Sequence, residues 1–130
     1  MLFSCDRLDS GGLVAGIFII DDDEAVRDST EALLESHGHE VHKCASAEEF
    51  LSRWNGVAGC LVVDHTMSGM TGLDLLEQLC DQGDQTPALL ITGDRDPILE
   101  PRAKRIGVKL LHKPVPEDEF MFWVEIACRG

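Results

Sequence analysis

The sequence predicts an α/β fold in which a mostly parallel sheet is covered by helices on both faces, and three observations carry that expectation. Five short strand-like runs, GIFII, EVHKC, AGCLVV, PALLI and VKLL, recur along the chain. Stretches whose apolar residues return every three or four positions, the period of an amphipathic helix, separate them. Four of the five runs are apolar on both of their faces, as strands buried between two helical layers must be.

Each element follows in order. GIFII, residues 16–20, is the first strand, and the helix after it places Ala25, Val26, Thr30, Leu33 and Leu34 on one side until Gly38 in HGH ends it. EVHKC, 40–44, alternates as a half-polar strand, and Ser46 caps the helix AEEFLSRW with Glu49 three residues on, a capping box. Residues 58–63 make the third strand, 64–71 a turn-rich loop, and 72–82 a helix with Leu73, Leu76 and Leu79 on one face. A strand over 87–91 and a helix over 96–106 come next. Pro97 and Pro101 in this stretch predict a helix that is short, kinked or late to start. A fifth strand over 108–111 and a helix over 117–128 close the pattern. That last helix carries Phe120, Met121, Phe122, Trp123 and Val124 in succession, more apolar side chains than one sheet can cover, which predicts a contact with another protein or a second copy.

Residues 1–15 show no period and read as a flexible lead-in, leaving 16–130 as a single domain. A formal charge of −13 argues against direct contact with nucleic acid, whose affinity comes from Lys and Arg displacing counterions, and against an anionic membrane surface. No apolar run approaches the roughly 20 residues of a membrane span. The N-terminus lacks the basic and apolar regions of a secretory signal, and the cysteine count is odd with no CxxC pair, so the expected setting is cytoplasmic with reduced thiols. Cys44 and Cys60 lie in apolar runs and read as core residues.

In parallel sheets, polar sites gather beyond the carboxyl ends of the strands. Behind the five strands stand Asp21-Asp22-Asp23, His42-Lys43, Asp64, Thr92 and Lys113. Carboxylates crowded in this way need a cation, and a hard oxygen-ligated ion such as Mg2+ shared by Asp64 with Asp21 or Asp22 satisfies them. A carboxylate is also a nucleophile toward phosphorus, and a metal, a hydroxyl and an ammonium are the groups that spread charge on a transferring phosphoryl group. Asp23 and Glu24 read instead as the acidic start of a helix.

With IIDDDEAVRDS, VVDHTMSGMTGLDLL, LLITG and LHKP in this order and spacing, the chain over about 16–128 resembles the response-regulator receiver domains of bacterial two-component signalling, of the CheY-like fold and FixJ type. The resemblance implies a (βα)5 sheet in strand order 2-1-3-4-5, with Asp64 as phosphoacceptor and Asp21 and Asp22 as the acid pair. It implies a site for Mg2+, with Mn2+ as a substitute, held by Asp21, Asp22, Asp64 and the backbone carbonyl of Thr66. Thr92 becomes the switch hydroxyl, and Lys113, before a cis bond to Pro114, the phosphoryl contact. The implied partner is a histidine kinase or phosphotransfer protein, with no separate substrate turnover. With no output segment after residue 130, the chain is expected to work alone, by protein–protein contact and as a homodimer through the last helix region.

Two positions depart from the family pattern. Met67-Ser68 stands where Met-Pro is usual, and Leu110 stands three residues before Lys113, where an aromatic residue or His usually swings inward with the threonine. The competing reading is therefore a constitutive interaction or dimerisation module with impaired switching. A metal-dependent phosphatase is disfavoured because Thr66, two residues after Asp64, is no acid. His37, His39 and His42 have no zinc-like spacing, and the glycines of 11–16 precede a strand rather than open a helix, so neither group reads as a ligand site.

Overall fold

The computed structural model describes residues 16–56 and 58–129, so the expected lead-in over 1–15 lies outside the described residues. Strands β1 (Ile17–Ile20), β2 (Val41–Cys44), β3 (Cys60–Asp64), β4 (Ala88–Thr92) and β5 (Lys109–His112) alternate with helices α1 (Glu24–Ser36), α2 (Ala47–Arg53), α3 (Gly72–Asp81), α4 (Leu99–Arg105) and α5 (Glu117–Cys128). The strands form one parallel sheet in the order β2-β1-β3-β4-β5.

Because side chains alternate across a strand, each run feeds two cores. Phe18, Ile20, Leu61, Val63, Ala88, Leu90 and Leu110 point to the face covered by α2, α3 and α4, with Phe50, Leu73 and Leu99 among their neighbours. Ile17, Ile19, Cys60, Val62, Leu89 and Leu111 point to the face covered by α1 and α5, against Leu34, Phe120, Met121 and Val124.

The helix starts are written in side chains. Asp23, Ser46 and Thr71 each accept a hydrogen bond from the backbone N–H three residues on, at the N-termini of α1, α2 and α3. Glu49 returns its carboxylate to the N–H of Ala45 at 2.8 Å, one residue before the Ser46 cap whose N–H a capping box would take.

The fourth helix and strand differ from their expected limits. Helix α4 begins at Leu99 rather than 96, since Asp96 uses its carboxylate to accept the Ile98 N–H at 3.1 Å and holds a turn there. Pro101 then falls in the first turn of α4, where its missing donor leaves no helical bond unmade. Pro87 stays outside β4, though its carbonyl accepts from Leu61 at 2.9 Å, and Thr92 joins the strand as its last residue. In α5 the succession 120–124 divides as its crowding requires: Phe120, Met121 and Val124 are buried, while Phe122 stays 57% exposed, as does Ile126 at 42%. Trp123 is half-buried, with the Lys109 ammonium 4.2 Å from its ring centroid.

Candidate functional site

The carboxyl ends of β1, β3, β4 and β5 lie side by side at the middle and one edge of the sheet, so residues scattered over some ninety positions converge. Asp64 is the last residue of β3, flanked by Asp21 after β1 and Thr92 at the end of β4. Asp21, Asp22 and Asp64 each offer a carboxylate oxygen within 4.8 Å of the others, and they are the one group of metal-ligating side chains so placed among the described residues. Asp21 and Asp64 are buried, and Asp22 is exposed at the mouth.

The local chain explains why these carboxylates face one another. Asp21 Oδ1 accepts the Asp23 N–H at 2.9 Å while the Asp21 carbonyl accepts from Arg27 at 2.8 Å, which folds the turn between β1 and α1 back over the sheet. Gly72 starts α3 so close to β3 that a Cβ there would lie 2.4 Å from the Asp64 carbonyl oxygen, so only glycine allows the approach. His65 adds a second tie, its Nδ1 accepting the Leu73 N–H at 3.3 Å.

One cation answers this charge from the protein itself. Lys113 Nζ lies 2.9 Å from Asp64 Oδ1, with its backbone N–H bound to the Thr92 carbonyl at 2.8 Å and a cis bond to Pro114 after it. The Lys113 ammonium forms an ion pair with the buried Asp64 Oδ1, and among the described residues no other group meets that oxygen. Burial works against the Lys113 ammonium, yet contact with Asp64 and the charges of Asp64, Asp21 and Asp23 outweigh it and raise its pKa. Asp21 is held above the usual carboxylate range, first by burial and also by the charges of Asp64 and Asp22, against the bond from Asp23 and the charge of Lys113.

A divalent ion fits this donor set. Three hard carboxylates, two buried and one at the solvent edge, are what an oxygen-ligated cation needs, and a single lysine leaves them short of positive charge.

Thr92 is fully buried, and its Oγ1 accepts the Asp94 N–H at 2.9 Å. Thr66 is exposed, in the loop between β3 and α3. His42 and Lys43, expected at the same edge, are turned elsewhere: His42 stacks on Phe18 and meets Glu40, and Lys43 is bound by Asp28 and Glu31 at 3.0 and 2.8 Å. Their strand, β2, is one edge of the sheet and packs against α1, whose Asp28 and Glu31 hold Lys43.

Sequence reasoning missed Ser68 and Glu48. The Ser68 N–H, which a proline would lack, donates to Asp22 Oδ2 at 3.4 Å, and Glu48 accepts from the Met70 N–H at 3.3 Å. Both tie the loop after β3 to neighbouring elements. Leu110 is 6% exposed, packed in the core beneath α4 where a swinging aromatic was expected to be missing.

A buried carboxylate beside an acid pair, a hydroxyl and an ammonium, at the carboxyl edge of a sheet ordered 2-1-3-4-5, points to a class: doubly wound α/β signalling domains of the receiver type. The model of the response regulator receiver domain matches residues 17–125, and the chain belongs to that family. It is 38% identical over 115 residues to the transcriptional regulatory protein FixJ of Bradyrhizobium diazoefficiens, covering 87% of this chain and 56% of FixJ. The response regulator StyR superposes with a TM-score of 0.82 at 34% identity, over 88% of this chain and 59% of StyR. A CheY-like receiver from Methanospirillum hungatei gives the same TM-score at 26% identity, over 89% of this chain and 94% of its own. The chain spans about half the length of the curated relatives it matches. Receivers are signalling modules that accept phosphoryl groups in two-component systems and bind Mg2+ at an acidic site. No helix among the described residues is long and apolar enough to cross a membrane.

Proposed function

We propose that the chain accepts a phosphoryl group on Asp64 from the phosphohistidine of a histidine kinase or phosphotransfer protein, with Mg2+ bound, and signals by protein–protein contact. The observation that carries this reading is the convergence on the buried Asp64 of an acid pair and the Lys113 ammonium, which lies 2.9 Å from Asp64 Oδ1. Asp21, Asp22, Asp64 and the Thr66 carbonyl would hold the ion, with Mn2+ as a substitute. The ion supplies positive charge that lets an anionic carboxylate meet an anionic phosphoryl group. An Asp64 carboxylate oxygen attacks phosphorus, the O–P bond forms as the N–P bond breaks, and the departing imidazole nitrogen keeps its electron pair and takes up a proton. Lys113 moves from the carboxylate to a phosphoryl oxygen, and Thr92 gives up the Asp94 N–H to donate its hydroxyl to another. Incubation with Mg2+ and a small phosphodonor such as acetyl phosphate adds one phosphoryl mass in intact-protein spectra. The reading fails if Asp64→Asn still takes up the group, or if the wild type takes up none.

The second reading, a constitutive interaction or dimerisation module with impaired switching, draws on Leu110, which fills its core site with no ring to swing. The exposed Phe122 and Ile126 are the proposed contact surface, including one between two copies. Light scattering with and without phosphodonor separates the two readings. A size change on phosphorylation supports switching, whereas a dimer of fixed size in both states supports the module.

A further inference from the structure

A buried carboxylate on the last residue of a strand is aimed by the chain that leaves it. That chain begins with His65, which is 8% exposed and held in three ways. Its backbone N–H donates to the Ile91 carbonyl of β4 at 2.9 Å, its carbonyl accepts the Gly72 N–H at 3.0 Å, and its ring Nδ1 accepts the Leu73 N–H at 3.3 Å.

Gly72 and Leu73 open α3, and the amides of a first helical turn have no partner within the helix. Thr71 Oγ1 serves the Asp74 N–H at 3.1 Å, and His65 serves the two before it, one with its carbonyl and one with its ring. An aliphatic side chain at 65 would leave the Leu73 N–H in a buried place without its acceptor. The tie bears on Asp64 because α3 starts against it. A Cβ on Gly72 would lie 2.4 Å from the Asp64 carbonyl oxygen and 2.9 Å from the His65 Cα, so a drift of this first turn moves the peptide that carries the carboxylate. Asp64 Oδ1 meets Lys113 Nζ at 2.9 Å, and where a reaction depends on such alignment a misplacement of about 1 Å costs about a hundredfold.

We propose that His65 is a positioning residue of the site: its Nδ1 holds the first turn of α3 on the end of β3 and so fixes the direction in which Asp64 offers its carboxylate to the cation and to phosphorus. This rests on Asp64 being the phosphoacceptor and adds the residue that aims it. His65 takes no part in the bond changes, and its effect passes through the backbone of Asp64.

The test compares His65→Leu, which removes the acceptor, with His65→Asn, whose Oδ1 can stand where Nδ1 stands. Uptake from acetyl phosphate at saturating Mg2+, followed by intact mass over a range of donor concentrations, should lose about tenfold in maximal rate in His65→Leu with the half-saturating concentration unchanged, and His65→Asn should recover most of that loss. Mg2+ titrated calorimetrically without phosphodonor should show a Kd raised about tenfold in His65→Leu and close to that of the wild type in His65→Asn. A purely structural role lowers the melting midpoint of both variants and moves neither quantity. Should His65→Leu not fold, His65→Gln, whose amide oxygen lies one bond further out than Nδ1, takes its place. A wild type that takes up no phosphoryl group while the Mg2+ pattern holds removes the phosphoacceptor reading alone and leaves His65 its role. Rates and Mg2+ affinities equal in the wild type and His65→Leu, or equal losses in His65→Leu and His65→Asn, overturn the proposal.

Discussion

Two groups of carboxylates in this molecule solve the same problem in opposite ways. On the outer side of α3, Asp74 and Glu77 are matched by Arg102 and Arg105 of α4, with Arg102 reaching Glu77 at 2.6 and 3.0 Å and Asp74 at 3.2 Å. At the end of the sheet, Asp21, Asp22 and Asp64 share one ammonium, that of Lys113, which reaches Asp64 alone at 2.9 Å. The first group ties two helices together at the surface, each carboxylate facing an arginine. The second is held in place by the fold at a cost in repulsion, and that unmet charge is the capacity to bind a cation and an anion in turn. Density of charge alone does not mark a site; the mismatch of charge does.

The sharpest way to break the comparison is to neutralise the unmatched group. Asp64→Asn should abolish phosphoryl uptake outright while raising stability by about 1 kcal/mol through relief of repulsion at Asp21, read as loss of the mass increment together with a higher melting midpoint. Adding Mg2+ at about a hundred times its Kd should stabilise the wild type by about 2.7 kcal/mol, an effect that calorimetry should find reduced in Asp22→Ala. Gly72→Ala, which forces a Cβ to 2.4 Å from the Asp64 carbonyl oxygen, should lower stability by about 1–3 kcal/mol and slow uptake, as denaturant midpoints and mass-resolved time courses would register. Arg102→Met, in the matched group, should cost about 1 kcal/mol or less and leave uptake intact.

The smallest effect is one of pH. The Arg102 hydrogen bond, against the effect of burial, holds Glu77 below its ordinary value of 4.5. A depressed carboxylate contributes stability that is present above that value and is lost as pH falls through the lower, folded one. Denaturant midpoints measured from neutral pH downward should therefore fall less steeply for Arg102→Met than for the wild type. Equal slopes in the two proteins would remove Glu77 from the matched group.

Much of this was legible in advance because the sheet has a period of two and places the end of each strand where its neighbours end. Asp64, Thr92 and Lys113 each close or follow a strand, so parallel packing alone brings them together. Asp23 was separable from its neighbours because a helix start accounts for it, and it caps α1. What remained hidden depends on how loops cross. The Ser68 N–H reaches Asp22 over 46 residues of chain, and no local pattern announces a backbone donor at that distance. Lys43 shares the strand-end signal of the site and, like Lys113, belongs to an edge of the sheet, but Asp28 and Glu31 of α1 capture it, and nothing in its own strand announces that contact. Pro101 signalled an irregular helix correctly, yet its place in the first turn was set by the turn that Asp96 holds.

The two tryptophans of the chain stand on opposite faces of the sheet. Trp54 is boxed in by Phe18 and Phe50 with its indole N–H on Asp84 at 2.9 Å, whereas Trp123 has a lysine ammonium from β5 over its ring. Excitation redistributes charge within an indole, so the colour of its emission follows the position of a nearby cation. A shift of β5 against α5 would recolour Trp123 and leave Trp54 unchanged. The molecule thus carries an optical gauge on the helix proposed to signal and an internal reference on the far side, and single replacements of either indole by Phe would tell the two apart.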